Sequence, residues 1–197
     1  MAFRRDRIFA LAGLCVGACF VLAAVLSIVF SQGSATASYG NDANAVKAMP
    51  PAKLGPSGLP VPRFVSLKRK KVNVRKGPST DHRVKWVYTS KGYPVEVIAE
   101  SDNWRRVRDA QGDEGWVFHS LLSGSRTAII SPWGEATQIP MLSEPHAGSP
   151  VVASLSSGVM GLVDNCNGSW CMVAVTGYSG WVEQGRLWGV YPGERFQ

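Results

Sequence analysis

The stretch V-N-V-R-K-G-P-S, from Val72 to Ser79, limits what this chain can fold into more than any other. Val72 and Val74 alternate with Asn73 and Arg75, the period-2 pattern of a half-buried strand. Gly77-Pro78 ends it, because glycine tolerates positive φ while proline fixes φ and removes a donor, so the chain turns outward into a loop. Gly92, the alternation Val95-x-Val97, the pair Asn103-Trp104, Val107 and the triplet Gly115-Trp116-Val117 then follow. Short valine-rich strands with turn residues between them predict a small antiparallel barrel.

This series resembles the bacterial SH3-like (SH3b) domain, whose repeats run N-V-R-x-G-P-S, a valine strand, N-x-W and G-W-V. The resemblance covers Phe64 to about Leu122. It implies an all-β barrel in which Trp104 and Trp116 are core or barrel-closing aromatics and Asn73 and Arg75 fix the first loop. It also implies recognition of a cell-wall peptide or of another envelope protein.

The pattern returns in degenerate form. Met141-Leu142-Ser143-Glu144-Pro145 matches Val74-Arg75-Lys76-Gly77-Pro78 at an offset of 67, and Gly158, Val163, Ser169-Trp170, Val173 and Gly180-Trp181-Val182 follow in order. Such a repeat marks two copies of one unit. Leu142 replaces the motif's arginine and Glu144 its glycine, so the second copy need not keep the first loop or any binding role. The predicted organisation is a signal or anchor over 1–37, a linker over 38–62, a first barrel over 63–131 and a second over 132–197. Residues 126–130 read as the closing strand of the first barrel.

At the N-terminus Arg4, Arg5 and Arg7 precede an apolar run from Ile8 to Phe30, and Ala35-x-Ala37 offers a small-residue cleavage site. These are the parts of a secretory signal. At about 1.5 Å per residue the run could also cross a roughly 30 Å hydrocarbon core and stay as an anchor. Either way the basic end stays inside and the rest is exported, to the periplasm or the periplasmic face of the inner membrane. Residues 38–62 carry five prolines and no periodicity, the composition of a spacer.

Charge is unevenly shared. Residues 63–131 hold 14 Lys/Arg against 7 Asp/Glu, whereas residues 132–197 hold 2 against 5. A basic patch concentrates polyanions without choosing among them, and export argues against nucleic acid. Lys70 lies in the run Lys68–Lys71, which reads either as a solvated edge or as an anion-facing rim. On an extended strand Trp104, Arg106 and Arg108 share a side opposite Arg105 and Val107. Arg106 and Arg108 suit carboxylates, because a guanidinium can grip both oxygens, and peptidoglycan stem peptides carry carboxylates. Trp86 and Tyr88 offer an aromatic pair on an earlier strand, open to packing or to a ligand.

Cys166 and Cys171 flank the turn signal Asn167-Gly168. Strands folding back there bring the two thiols opposite each other, which in an oxidising compartment favours a disulfide. Zinc would need two further ligands, and a catalytic cysteine a basic partner. No phosphate loop, G-x-S-x-G or H-E-x-x-H occurs. The expectation is a non-enzyme without cofactor: an envelope binding or adaptor protein, or else a structural protein–protein module that assists a separate wall hydrolase.

Overall fold

The computed structural model describes residues 53–134 and 138–197. The predicted signal or anchor over 1–37 and the linker up to residue 52 lie outside the described residues. What is described is all-β, with two short 3-10 turns and no α-helix.

The first module contains β3 (Arg63–Leu67), β4 (Val72–Arg75), β5 (Val84–Tyr88), β6 (Pro94–Ser101), β7 (Trp104–Arg108), β8 (Glu114–Phe118) and β9 (Leu122–Ser123), preceded by a small hairpin of β1 (Lys53–Leu54) and β2 (Pro60–Val61). Its antiparallel sheet runs β5-β4-β8-β7-β6-β3-β9 and ends without β5 meeting β9, a half-barrel. The second module contains β10 (Thr127–Ile130), β11 (Ile139–Leu142), β12 (Val151–Leu155), β13 (Met160–Asn167), β14 (Trp170–Val175), β15 (Tyr178–Glu183) and β16 (Leu187–Trp188), with β17 (Arg195–Phe196) added to β13. Its order β12-β11-β15-β14-β13-β10-β16 repeats the first sheet strand for strand.

That correspondence corrects two expectations. Residues 127–130 do not close the first barrel. They open the second, pairing with β13 through Thr127↔Leu162 and Ala128↔Gly161 and with β16 through Ile129↔Trp188. The first sheet ends instead at β9, paired to β3 through Leu67↔Leu122. Nor is the end of the linker a free spacer. Residues 53–61 form the β1–β2 hairpin, and Ser57 ties it down by donating from its N and its Oγ to Glu100 (2.9 and 2.8 Å).

Alternation builds each core. Val72 and Val74 are fully buried while Asn73 between them is exposed. With Val65, Leu67, Val95, Val97, Val107 and Val117 they form the first core. Each such side chain contributes on the order of 1.5–3 kcal/mol by leaving water. The second core repeats this with Met141, Val163, Val173 and Val182 around Cys166 and Cys171.

Candidate functional site

Cross-strand register decides what faces outward. Val107 and Val117 point into the core, so their neighbours on β7 and β8 point away from it. The outward pairs are Trp104↔Phe118, Arg106↔Trp116 and Arg108↔Glu114. On the next strand Arg75 stands opposite Trp116. Trp104 and Trp116 therefore stand on the outer face, where the resemblance gave them a core or barrel-closing place, because each is two residues from the next outward position and next to a buried side chain, Arg105 and Val117 respectively. Trp104 meets Phe118 edge-on, with centroids 5.4 Å apart.

Beside this aromatic pair lies an open groove of about 290 Å³, lined by Asn73, Arg75, Thr80, Trp104, Phe118 and Leu121. Arg75 shapes its wall as the sequence suggested: its Nη1 donates to the carbonyls of Thr80 (2.9 Å) and His82 (2.7 Å), pinning the loop after β4. Lys68 N donates to the Leu121 carbonyl (2.8 Å), which brings the start of the Lys68–Lys71 run to the rim. Lys70 is exposed, and among the described residues it enters no ion pair. Phe118, Thr80 and Leu121 were not singled out in the sequence. The spacing Trp116-x-Phe118 carried the signal, since it sets Phe118 on the side of Trp116.

Arg106 and Arg108 share one face as expected, but neither guanidinium is free. Arg106 Nη2 meets Glu114 Oε2 at 2.6 Å. Arg108 donates to Glu114 Oε1 from Nε (2.9 Å) and Nη2 (2.7 Å), and reaches Glu96 Oε2 at 3.4 Å. Hydrogen bonds from Arg108, with both positive charges, hold the Glu114 carboxyl below its ordinary range.

Trp86 and Tyr88 are placed elsewhere. They stand opposite Val74 and Val72 and pack against the first core, on the other side of the sheet from Arg106 and Arg108. Tyr88 stacks on Tyr93 at 5.1 Å and donates to Asp109 Oδ2 at 2.9 Å. Burial, then the Asp109 charge, pushes its phenol well above the ordinary value. Lys85 Nζ sits 4.9 Å over the Trp86 ring. Both rings pack, partly buried, against the first core, and the structure does not unite them with the arginines.

In the second module Cys166 and Cys171 are direct cross-strand partners and form a disulfide. The outer face there carries Met172 and Trp181 where the first has Arg106 and Trp116. One cluster imitates a hydrolytic triad without its geometry. Glu144 and Ser149 both meet His146 at Nε2 (3.2 and 3.0 Å), so no proton path runs through the ring.

A family model for the bacterial SH3 domain matches residues 68–124 and again residues 135–189, together more than half of the chain. No curated protein matches the sequence. Among solved structures it is similar to NlpC2 from Trichomonas vaginalis, at 18% identity and a TM-score of 0.30, covering 65% of this chain and 48% of that one. It is also similar to NlpC1 from the same organism, at 16% identity and a TM-score of 0.30, covering 64% of this chain and 45% of that one. The chain thus spans just under half the length of either. With both matched segments falling on the two half-barrels, the chain belongs to the bacterial SH3 domain family, in two tandem copies.

Proposed function

We propose that this is a non-catalytic binding protein of the cell envelope, exported to the periplasm or to the periplasmic face of the inner membrane. Its first module takes a cell-wall stem peptide or a segment of an envelope protein in the groove beside Trp104 and Phe118. The observation that carries this reading is the groove itself: Trp104, Phe118 and Leu121 line it together with Asn73, Arg75 and Thr80, and the exposed Lys68–Lys71 run starts at its rim. An aromatic wall with a few polar groups and flanking cations suits an extended, acidic peptide. Arg106 and Arg108 lie on the same face, already paired with Glu114 and Glu96, so anion attraction rests chiefly with the lysine run.

A protein partner for the second module follows from a different observation. On its outer face Met172, opposite Trp181, stands where the first module has Arg106, which suits a neutral protein surface better than an acidic polymer.

The test is sedimentation of purified residues 42–197 with insoluble peptidoglycan at low and moderate salt. Pelleting that falls with salt and is largely lost in Trp104→Ala supports wall recognition at the groove. A protein that stays in solution at every salt concentration turns the reading toward protein partners alone.

A further inference from the structure

The second module reaches into the first through a short chain of contacts. Phe64 of the first module lies between Trp188 (5.2 Å, edge-on) and Tyr191 (4.8 Å) of the second. Tyr191, 9% exposed, donates its hydroxyl to Glu96 Oε1 of the first module at 2.9 Å. Glu96 is itself 7% exposed. Its other oxygen faces Arg108 Nη1 at 3.4 Å, and Arg108 shares Glu114 with Arg106. A carboxylate removed from water needs several donors, and Glu96 draws one from each module.

Tyr191 is firmly held from its own side. Its backbone N donates to Glu194 Oε2 at 2.8 Å. Arg126, in the connection between the modules, grips both oxygens of Glu194 at 2.9 Å each and also donates to the Gly189 carbonyl. Burial, then the Glu96 charge, keeps the Tyr191 phenol well above its ordinary value, so it remains a donor at any working pH. Thr127 Oγ1 adds a second tie by donating to the Gly92 carbonyl at 2.7 Å.

We infer that the second module is a positioning part of the first module's arginine face: Tyr191 anchors Glu96, Glu96 holds Arg108, and Arg108 sets the Glu114–Arg106 pair. Tyr191 and Glu96 are positioning residues, since both are buried and act on the exposed arginines only through Arg108. The inference rests on the proposed binding role for its purpose, but its test uses no ligand, so either can fail without the other.

The experiment is a double-mutant cycle on the full chain with Tyr191→Phe, Arg108→Gln and the double variant. If the residues are linked through Glu96, the double variant loses less melting temperature than the two single losses summed, by roughly 2–4 °C. In parallel, labelling with phenylglyoxal followed by mass spectrometry reads Arg108 directly. Tyr191→Phe frees the carboxylate to turn, so Arg108 labels faster, by roughly 2- to 10-fold, the span of one net hydrogen bond. The exposed Arg83 keeps its rate. Purely additive losses, or Arg108 labelled at the wild-type rate, overturn the inference. Should Tyr191→Phe fail to fold, Glu96→Gln carries the same labelling test with the same expected direction.

Discussion

One position in the two modules is solved twice by different chemistry. Across the β6–β7 hairpin Glu100 stands opposite Arg105, and across the equivalent β13–β14 hairpin Cys166 stands opposite Cys171. The first pair is an ion pair, with Arg105 Nε 2.9 Å from Glu100 Oε1; the second is a disulfide. Both fasten the same register, but they differ in what else they can hold. A carboxylate has lone pairs to spare, and Glu100 uses them to take Arg63 at 2.8 Å and the N and Oγ of Ser57. It thereby pins the β1–β2 hairpin as well. A disulfide sulfur is only a weak acceptor: Cys171 Sγ takes one long contact from Gln184 Nε2 (3.7 Å), and both cysteines are absorbed into the core. The ion pair is a junction and the disulfide a staple.

The largest test of that contrast is Glu100→Ala. The Glu100 side chain is fully enclosed and faces two guanidiniums that are themselves mostly buried, so removing it strands both. The expected loss is about 3–5 kcal/mol, read by denaturant unfolding, with the β1–β2 hairpin becoming protease-sensitive at the same time. Replacing both Cys166 and Cys171 with alanine should cost less, about 2 kcal/mol, because so short a loop restricts the unfolded chain only modestly. A disulfide variant weaker than Glu100→Ala would reverse the ranking.

Acid separates the two fastenings further. Burial alone would raise the Glu100 carboxyl, but the Ser57 hydrogen bonds and Arg63 outweigh it and hold it below the ordinary carboxylate value. A carboxyl lowered on folding stabilises fully above its unfolded pKa, near ~4.3, and that stabilisation drains away as pH falls through the lower folded value. The disulfide has no such dependence. The melting temperature should therefore fall on the acid side of pH ~4, and Glu100→Gln should flatten that fall; an unchanged acid limb would place the titration elsewhere. The smallest effect belongs to the outer faces. Arg106→Met gives the first module the residue that the second carries at Met172, and since the Arg106–Glu114 pair is half exposed, stability should change by no more than ~0.5 kcal/mol. A larger change would mean the ion cluster has a structural role of its own.

Much of this was legible along the chain. The alternation Val72-x-Val74, the repeat of landmarks at the 67-residue offset and the Cys166–Cys171 turn are all local patterns, and local patterns survive into the fold. Arg75 did fix its loop. What misled was proximity. Residues 127–130 follow the first barrel immediately in sequence, yet their partners are Gly161 and Leu162, more than thirty residues on. A cut after Ser131 would leave the second module without β10, the strand that joins β13 to β16, so the two barrels cannot be studied as fragments divided there.

Period 2 states which side chains share a face, but not which face is buried. That is why Trp104, Arg106 and Arg108 group correctly on one side, while the choice between a core and a barrel-closing place for Trp104 waits on the pairing that turns it outward. It is also why Trp86 and Tyr88 could not be assigned, for their side depends on pairing with Val74 and Val72. Free charges in the sequence are likewise only candidates. Glu114 lies six residues beyond Arg108, and its grip on both arginines exists only because the β7–β8 hairpin sets them opposite. Strand alternation, turns and the repeat thus wrote the fold, the copy number and the staple into the sequence. Side-to-core assignment, charge neutralisation and the Tyr191–Glu96 link between modules arise from contacts between residues far apart in the chain, which no local pattern encodes.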